Sequence, residues 1–130
     1  MIVVDASALL ESLLRTPAAA AVERRLFDPR QTLHVPHLLD VEVAQVIRRY
    51  AAKGEIDSER GRAALADLVD FPLRRYSHDF LLPRVWDLRN NLSAYDAVYV
   101  ALAEALGAPL LTRDQRLAAA PGHHALVELV

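Results

Sequence analysis

The sequence contains no cysteine and no apolar segment long enough to cross a membrane. The absence of cysteine excludes disulfides, cysteine-bound zinc and thiol nucleophiles. A membrane-spanning helix needs roughly 20 apolar residues, and no stretch of the chain approaches that length. No positively charged segment precedes the apolar residues Ile2 to Val4, and Asp5 interrupts the apolar segment that a signal peptide requires. We therefore expect no membrane association and a cytoplasmic location.

An excess of positive charge is also missing. The 15 basic and 17 acidic residues leave a formal net charge of −2, which argues against a basic protein that coats nucleic acid. Lys53 is the only lysine, and the arginines are scattered along the chain. Any contact with RNA must therefore be local. Arg113, beside Asp114, is the candidate for a phosphate contact.

The chain is long enough for one domain, which we assign to residues 1–130. Short apolar strands alternate with longer helical stretches, a pattern typical of an α/β fold with a mostly parallel sheet flanked by helices. The pattern predicts five strands, at residues 2–4, 33–35, 73–76, 110–112 and 126–129. It also predicts a helix over 79–90. Trp86, Tyr95 and Tyr99 are expected in the core or at an interface.

Four carboxylates lie where strands end or helices begin. Asp5 and Asp114 directly follow predicted strands, and Glu42 and Asp96 lie near the starts of predicted helices. In open α/β sheets, ligands bind at the carboxyl ends of the strands, so these side chains can meet at one edge. Neighbouring carboxylates raise one another's pKa values unless a cation neutralises them. Because oxygen ligands suit Mg²⁺ or Mn²⁺, the pattern predicts a metal-dependent nuclease.

Each acid also has a simpler explanation. Asp5 and Asp114 can cap the helices that follow them, and Asp96 forms a capping-box-like pair with Ser93. However, the helix that contains Asp96 is apolar almost all round, so a carboxylate there needs a charged partner. A non-catalytic interaction module whose acids only cap helices is therefore the alternative from another class.

Helical periodicity does not choose between Glu42 and Asp40. The two acids flank the apolar stripe of the same predicted helix, on opposite sides. Asp40 also suits the first turn of a helix, where negative charge is favourable. On periodicity alone, either Glu42 or Asp40 could be the acid that joins the site.

Four segments of the chain together resemble a known family. They are Val3-Val4-Asp5-Ala6-Ser7, Val35-Pro36 with Val41-Glu42-Val43, Leu92-Ser93-Ala94-Tyr95-Asp96-Ala97, and Leu110-Leu111-Thr112-Arg113-Asp114. In this order and spacing they are similar to a PIN domain, and most closely to the VapC toxin of a VapBC toxin–antitoxin pair. The resemblance implies a three-layer sandwich built around a five-stranded parallel sheet.

The resemblance also implies an endoribonuclease that depends on Mg²⁺ or Mn²⁺. The family's four acidic positions correspond to Asp5, Glu42, Asp96 and Asp114. This correspondence favours Glu42 over Asp40, and Ser7 and Thr112 match the hydroxyl positions beside the acids. The family further implies an RNA substrate, a VapB-like antitoxin partner that covers the acidic pocket, and a homodimer.

Two other enzyme classes also use acids at strand ends. Receiver domains carry a lysine after a late strand. The only lysine of this chain, Lys53, instead ends a predicted helix in the first half of the sequence. A phosphatase with an aspartate nucleophile would usually carry a second aspartate two residues later, where Ser7 stands. Both classes therefore fit the sequence less well than the nuclease.

Overall fold

Five parallel strands form a single sheet in the computed structural model, which describes residues 1–130. The strands are β1 (Ile2–Val4), β2 (Leu33–Pro36), β3 (Leu73–Tyr76), β4 (Leu110–Thr112) and β5 (Val127–Leu129). Their order across the sheet is β3-β2-β1-β4-β5, and every neighbouring pair is parallel. The α/β fold with a five-stranded parallel sheet, as predicted from the sequence, is confirmed.

Seven α-helices and one short 3₁₀ turn connect the strands. The helices are α1 (Ala6–Leu13), α2 (Ala19–Leu26), α3 (Leu38–Ala52), α4 (Ser58–Asp70), α5 (Leu82–Asp87), α6 (Ala94–Leu106) and α7 (Gln115–Ala119). The 3₁₀ turn covers Asp79–Leu81 and leads directly into α5. None of these helices combines the length and the apolarity needed to cross a membrane.

The strand order reverses at the centre of the sheet. The chain moves outward from β1 through β2 to β3, and then returns to place β4 on the other side of β1. Val3 pairs with His34 of β2 and with Leu110 of β4. Ligands in open α/β sheets bind outside the carboxyl ends of the strands at such a reversal. A functional site is therefore expected at the carboxyl ends of β1 and β4.

Helix α6 is the central buried helix of the fold. Every residue from Ala97 to Ala103 is buried, as its nearly continuous apolar sequence predicts. It packs against β1, β2 and β4, and Asp96 in its first turn lines the same cleft as Asp5, which directly follows β1. Ser93 starts the helix by accepting a hydrogen bond from the backbone N–H of Asp96 at 3.2 Å.

The structure differs from the sequence prediction between residues 79 and 90. The predicted single helix is a 3₁₀ turn followed by α5, which ends at Asp87. The backbone N–H groups of Asn91 and Leu92 turn back to the carbonyl of Leu88 and form a tight turn before α6. Trp86 is 66% exposed, so the core position considered for it is wrong. Its ring instead packs under the guanidinium of Arg89 at 4.5 Å.

Candidate active site

A cleft of about 640 Å³ opens at the carboxyl ends of β1 and β4. All four predicted acids line it, together with Ser7 and Arg113. The acids are Asp5, Glu42, Asp96 and Asp114. Thr112 lies behind the cleft wall and is fully buried. The fold therefore brings four carboxylates from distant parts of the sequence to the edge of the sheet where its strand order reverses.

Two hydroxyl groups hold the carboxylate of Asp5. Ser7 Oγ and Thr112 Oγ1 both donate to Asp5 Oδ2, at 2.6 and 2.8 Å. Each hydroxyl also accepts a backbone N–H at 3.0 Å, Ser7 from Arg113 and Thr112 from Asp114. Asp5 occupies the N-cap position of α1, but its side chain makes no capping hydrogen bond. The capping explanation therefore does not account for this carboxylate.

The pKa of Asp5 is raised above its ordinary value of 3.8. Burial is the largest cause, and the negative charge of Asp114 adds to it. The hydrogen bonds from Ser7, Thr112 and the backbone of Ala6 act in the opposite direction, because they stabilise the ionised form. Asp5 is thus a buried carboxylate, surrounded by donors but without a positively charged neighbour.

Glu42 and Asp40 project to different places although they lie on the same helix. Glu42 lines the cleft, and its Oε1 accepts a hydrogen bond of 2.5 Å from the hydroxyl of Tyr99. Asp40 forms a bidentate ion pair with Arg75, at 2.8 and 3.1 Å, and does not line the cleft. Burial raises the pKa of Glu42, and the charges of Asp5 and Asp96 raise it further.

Asp96 adds a third titratable group with a raised pKa. Burial is the main cause, followed by the negative charges of Asp5 and Asp114. Arg116 and the hydrogen bond with Ser93 lower the pKa of Asp96, but they do not outweigh the other causes. Ionised carboxylates in this cleft therefore repel one another, and a cation would relieve that repulsion.

Asp114 is both a capping residue and part of the cleft lining. Its Oδ1 accepts the backbone N–H groups of Arg116 at 2.9 Å and Leu117 at 3.4 Å, and so starts α7. The capping explanation is therefore correct for this oxygen. It does not exclude a second role, because the residue also faces the cleft.

Two arginines lie at the edge of the cleft. Arg113 donates through Nη1 to the carbonyl of Val130 at 2.6 Å, and its Nε lies 3.7 Å from a carboxylate oxygen of Glu11. Arg49 also lines the cleft, and its guanidinium makes no ion pair or hydrogen bond within the chain. Arg49 was not among the site residues predicted from the sequence. Its position seven residues after Glu42, two helical turns along one face of α3, could have indicated it.

Tyr99 contacts an acid of the cleft, although its sequence position had indicated only a residue of the core or of an interface. Its side chain is fully buried, and its hydroxyl contacts Glu42. The spacing of three residues from Asp96 places both side chains on one face of α6. This spacing could have indicated that Tyr99 lies near Asp96, but it could not show that Tyr99 contacts Glu42 on α3.

The donor chemistry of the cleft suits a hard divalent ion, because the acids supply only oxygen ligands. The raised pKa values of Asp5, Glu42 and Asp96 agree with a site that lacks a compensating charge. With the side chains in their present positions, however, no three acidic or histidine residues are close enough to hold a metal ion. The residues therefore fit such an ion in type and charge, and ligation by three of them requires side-chain movement.

Comparison with known proteins identifies the family. Residues 2–122 match the PIN domain. Ribonuclease VapC12 of Mycobacterium tuberculosis is 44% identical over 130 residues, covering 100% of this chain and 99% of the relative. The crystal structure of PAE2754 from Pyrobaculum aerophilum matches with a TM-score of 0.72 at 25% identity, covering 97% of this chain and 87% of that one.

A VapBC2 structure from Rickettsia felis, bound to a DNA fragment from the promoter, also matches. Its TM-score is 0.73 at 14% identity, and the match covers 99% of this chain and 98% of that chain. The chain belongs to the PIN-domain family. Its similarity to VapC12 over the full length confirms the resemblance to VapC proteins that the four sequence segments indicated.

Proposed function

We propose that this protein is a metal-dependent endoribonuclease and the toxin of a toxin–antitoxin pair. The observation that carries the proposal is the cleft in which Asp5, Glu42, Asp96 and Asp114 meet. Its support is the full-length similarity to a protein named as a VapC ribonuclease. The reaction is hydrolysis of an RNA phosphodiester bond, with water as the nucleophile.

Mg²⁺ or Mn²⁺ is the proposed cofactor. Such an ion would supply the positive charge and Lewis acidity that favour attack of water on a phosphodiester. Asp5 and Asp96 are the proposed direct ligands, Glu42 would complete the site through water, and Asp114 would do so through water or after side-chain rotation. This division agrees with the reluctance of magnesium to lose its whole hydration shell.

Ser7 and Thr112 have a supporting role in this proposal. Both donate to Oδ2 of Asp5, and this fixes the direction in which the carboxylate faces. Hydrogen-bonding partners of a ligand commonly orient it and tune its affinity for a metal. The two hydroxyls thus serve Asp5 rather than the substrate.

The RNA backbone would be bound at the edge of the cleft. Arg113 is the proposed phosphate contact, and a phosphate would compete with Glu11 for its guanidinium. Arg49 is a second candidate, because its charge has no partner within the chain. Two arginines that line the same cleft as the acids would bind an RNA strand there and offset their negative charge.

A VapB-like antitoxin is the proposed protein partner. A structure that shares this fold is a toxin–antitoxin complex from Klebsiella pneumoniae, and the similarity to VapC12 supports the same arrangement here. We also propose a homodimer and a cytoplasmic site of action. The exposed side chains of Leu82 and Trp86 are candidates for the dimer contact, whereas Val85 of the same helix is buried.

The test of the proposed function compares purified wild type with Asp5→Asn and Asp96→Asn. Each substitution removes a negative charge but keeps the size of the side chain. We expect the wild type to cleave labelled cellular RNA with Mn²⁺, both variants to be inactive, and the chelator EDTA to abolish cleavage. Asp40→Asn is the matched control, because Asp40 lies outside the cleft, and it should retain activity. Equal cleavage by wild type and by either cleft variant would exclude that acid from the active site.

A metal titration separates this function from the non-catalytic alternative. If the acids bind an ion, Mn²⁺ should raise the melting temperature of the wild type, because a ligand that binds only the folded state stabilises it. The increase should be absent in Asp5→Asn. A protein whose acids only cap helices would show no increase in either case.

A further inference from the structure

Tyr99 forms a hydrogen bond that joins the two helices carrying Glu42 and Asp96. Its side chain is completely buried, and its hydroxyl donates to Glu42 Oε1 at 2.5 Å. The two residues are 57 positions apart in the sequence. Helix α6 thus supplies one acid of the cleft, Asp96, and one turn later the donor that contacts another acid on α3.

This hydrogen bond could have a purely structural purpose. A buried tyrosine hydroxyl normally finds a hydrogen-bond partner, and Glu42 could serve only that purpose. The partner, however, is a half-buried anion that lines the cleft, and Asp5 and Asp96 both repel it. A glutamate has several rotatable bonds, so repulsion would turn an untethered Glu42 toward solvent. The hydroxyl of Tyr99 opposes that movement.

The donor is permanent under physiological conditions. A tyrosine hydroxyl ordinarily keeps its proton at neutral pH, and here it is fully buried and donates to Glu42. A serine or a water molecule at this place would rotate more freely than a ring fixed by the core.

We propose that Tyr99 is a positioning residue that keeps the carboxylate of Glu42 facing the cleft, where it contributes to binding of the cation through water. The inference rests on the proposed metal-dependent function, and it adds a role that the four-acid pattern does not contain. Tyr99 acts through Glu42 and touches neither the cation nor the RNA.

The test is Tyr99→Phe, which removes the hydroxyl and keeps the ring that fills the core. Binding of Mn²⁺ to the RNA-free protein is measured by titration calorimetry. We expect the affinity to fall about tenfold, the usual size of the effect when a supporting hydrogen bond to a ligand is lost. In RNA cleavage, kcat should fall while KM stays unchanged. Circular dichroism verifies that the variant is folded.

The matched control is Tyr76→Phe. It makes the same chemical change, because the hydroxyl of Tyr76 is hydrogen-bonded to His34 at 2.7 Å, but it lies outside the cleft. Affinity for Mn²⁺ should equal that of the wild type. A comparable loss in both variants would mean that removal of any buried hydroxyl loosens the fold, and this would contradict the proposal.

A double-mutant cycle with Glu42→Gln decides between positioning and packing. If Tyr99 acts through the carboxylate, adding Tyr99→Phe to Glu42→Gln should cause no further loss of affinity. An undiminished loss in the glutamine background, or wild-type affinity in Tyr99→Phe alone, would overturn the inference. A wild type that binds no Mn²⁺ and cleaves no RNA would overturn the proposed function as well, so the two failures are distinguishable.

Discussion

A single oxygen atom of Asp5, Oδ2, accepts hydrogen bonds from the hydroxyl groups of both Ser7 and Thr112. The hydroxyls are themselves fixed by the backbone N–H groups that follow β4. Two short chains of hydrogen bonds therefore run from the turn after β4 to the end of β1. Because hydrogen bonds to a charged group are stronger than neutral ones, this arrangement stabilises Asp5 in a place where its burial is unfavourable.

Asp96 illustrates the free-energy cost of such a cleft. Its raised pKa means that the folded state binds protons more tightly than the unfolded state, whose value is near 3.8. The stability that this group contributes is present at low pH and is lost as pH rises through the folded pKa. Asp96 therefore destabilises the metal-free protein at neutral pH, as residues held for function often do.

We predict that Asp96→Asn raises the melting temperature of the metal-free protein at neutral pH. The gain should shrink as pH falls toward 3.8, where the aspartate is protonated in both states. Thermal unfolding with EDTA across this pH range measures the effect. A variant less stable than wild type at neutral pH would show that repulsion from Asp5 and Asp114 is not the dominant effect on Asp96.

At the scale of the elements, α5 shows which information the sequence carries. Val85 and Leu88 are buried, but Leu82 and Trp86 are exposed, so the apolar spacing predicted a helical segment between 79 and 90 without showing which of its residues face inward. It also did not predict that the segment divides into a 3₁₀ turn and a short helix. The boundary depends on the tight turn after Leu88, which connects the segment to α6.

Helix α6 ends at a glycine that has a left-handed conformation. Gly107 has φ of 61° and ψ of 33°, and its N–H bonds back to the carbonyls of the last helical turn. A Cβ at this position would meet no atom within 4 Å. Replacement by a larger residue is therefore opposed by backbone strain and not by a clash. The next strand, β4, starts three residues later, so this turn also sets where Asp114 lies.

We predict that Gly107→Ala lowers the free energy of unfolding by about 1 kcal/mol, the usual cost of a left-handed conformation for a residue with a Cβ. Urea denaturation measures the change. Gly107→Asn is the control, because asparagine tolerates this conformation better, and it should lose less stability. Equal losses for alanine and asparagine would indicate a cause other than backbone strain.

At the scale of the whole molecule, the sheet contains one buried histidine. His34 lies on β2 beside the central strand and is 1% exposed, with Thr32 and Tyr76 hydrogen-bonded to its two ring nitrogens at 2.7 Å each. Its pKa is lowered from the ordinary value of 6.5, mainly by burial and then by the charges of Arg74 and the N-terminus. The fold therefore favours the neutral ring.

We predict that the stability contributed by neutral His34 is lost as pH falls from 6.5 through the lower folded pKa, because the unfolded state binds the proton first. Unfolding free energies of wild type and His34→Gln, measured across this range, test the effect. The difference between the two proteins isolates His34 from the carboxylates, because both proteins contain the same carboxylates. A constant difference would contradict the prediction.

The molecule as a whole shows how far its sequence determines a candidate site. Strand-end positions and family resemblance were enough to predict that Asp5, Glu42, Asp96 and Asp114 could meet, and all four line one cleft. The hydrogen bond from Tyr99 to Glu42 was not predictable, since it depends on how α3 and α6 are placed relative to each other, whereas its spacing from Glu42 could have indicated Arg49. Such contacts join residues far apart in sequence and follow no local pattern.

Asp114 fixes the start of α7 with the same side chain that faces the cleft. A single carboxylate thus serves both the secondary structure and the proposed chemistry. If a bound ion draws this side chain away from its present partners, the amide hydrogens of Arg116 and Leu117 lose their acceptor and exchange faster with deuterated solvent. Occupancy of the cleft could then be measured from the exchange of two main-chain protons, without any substrate present.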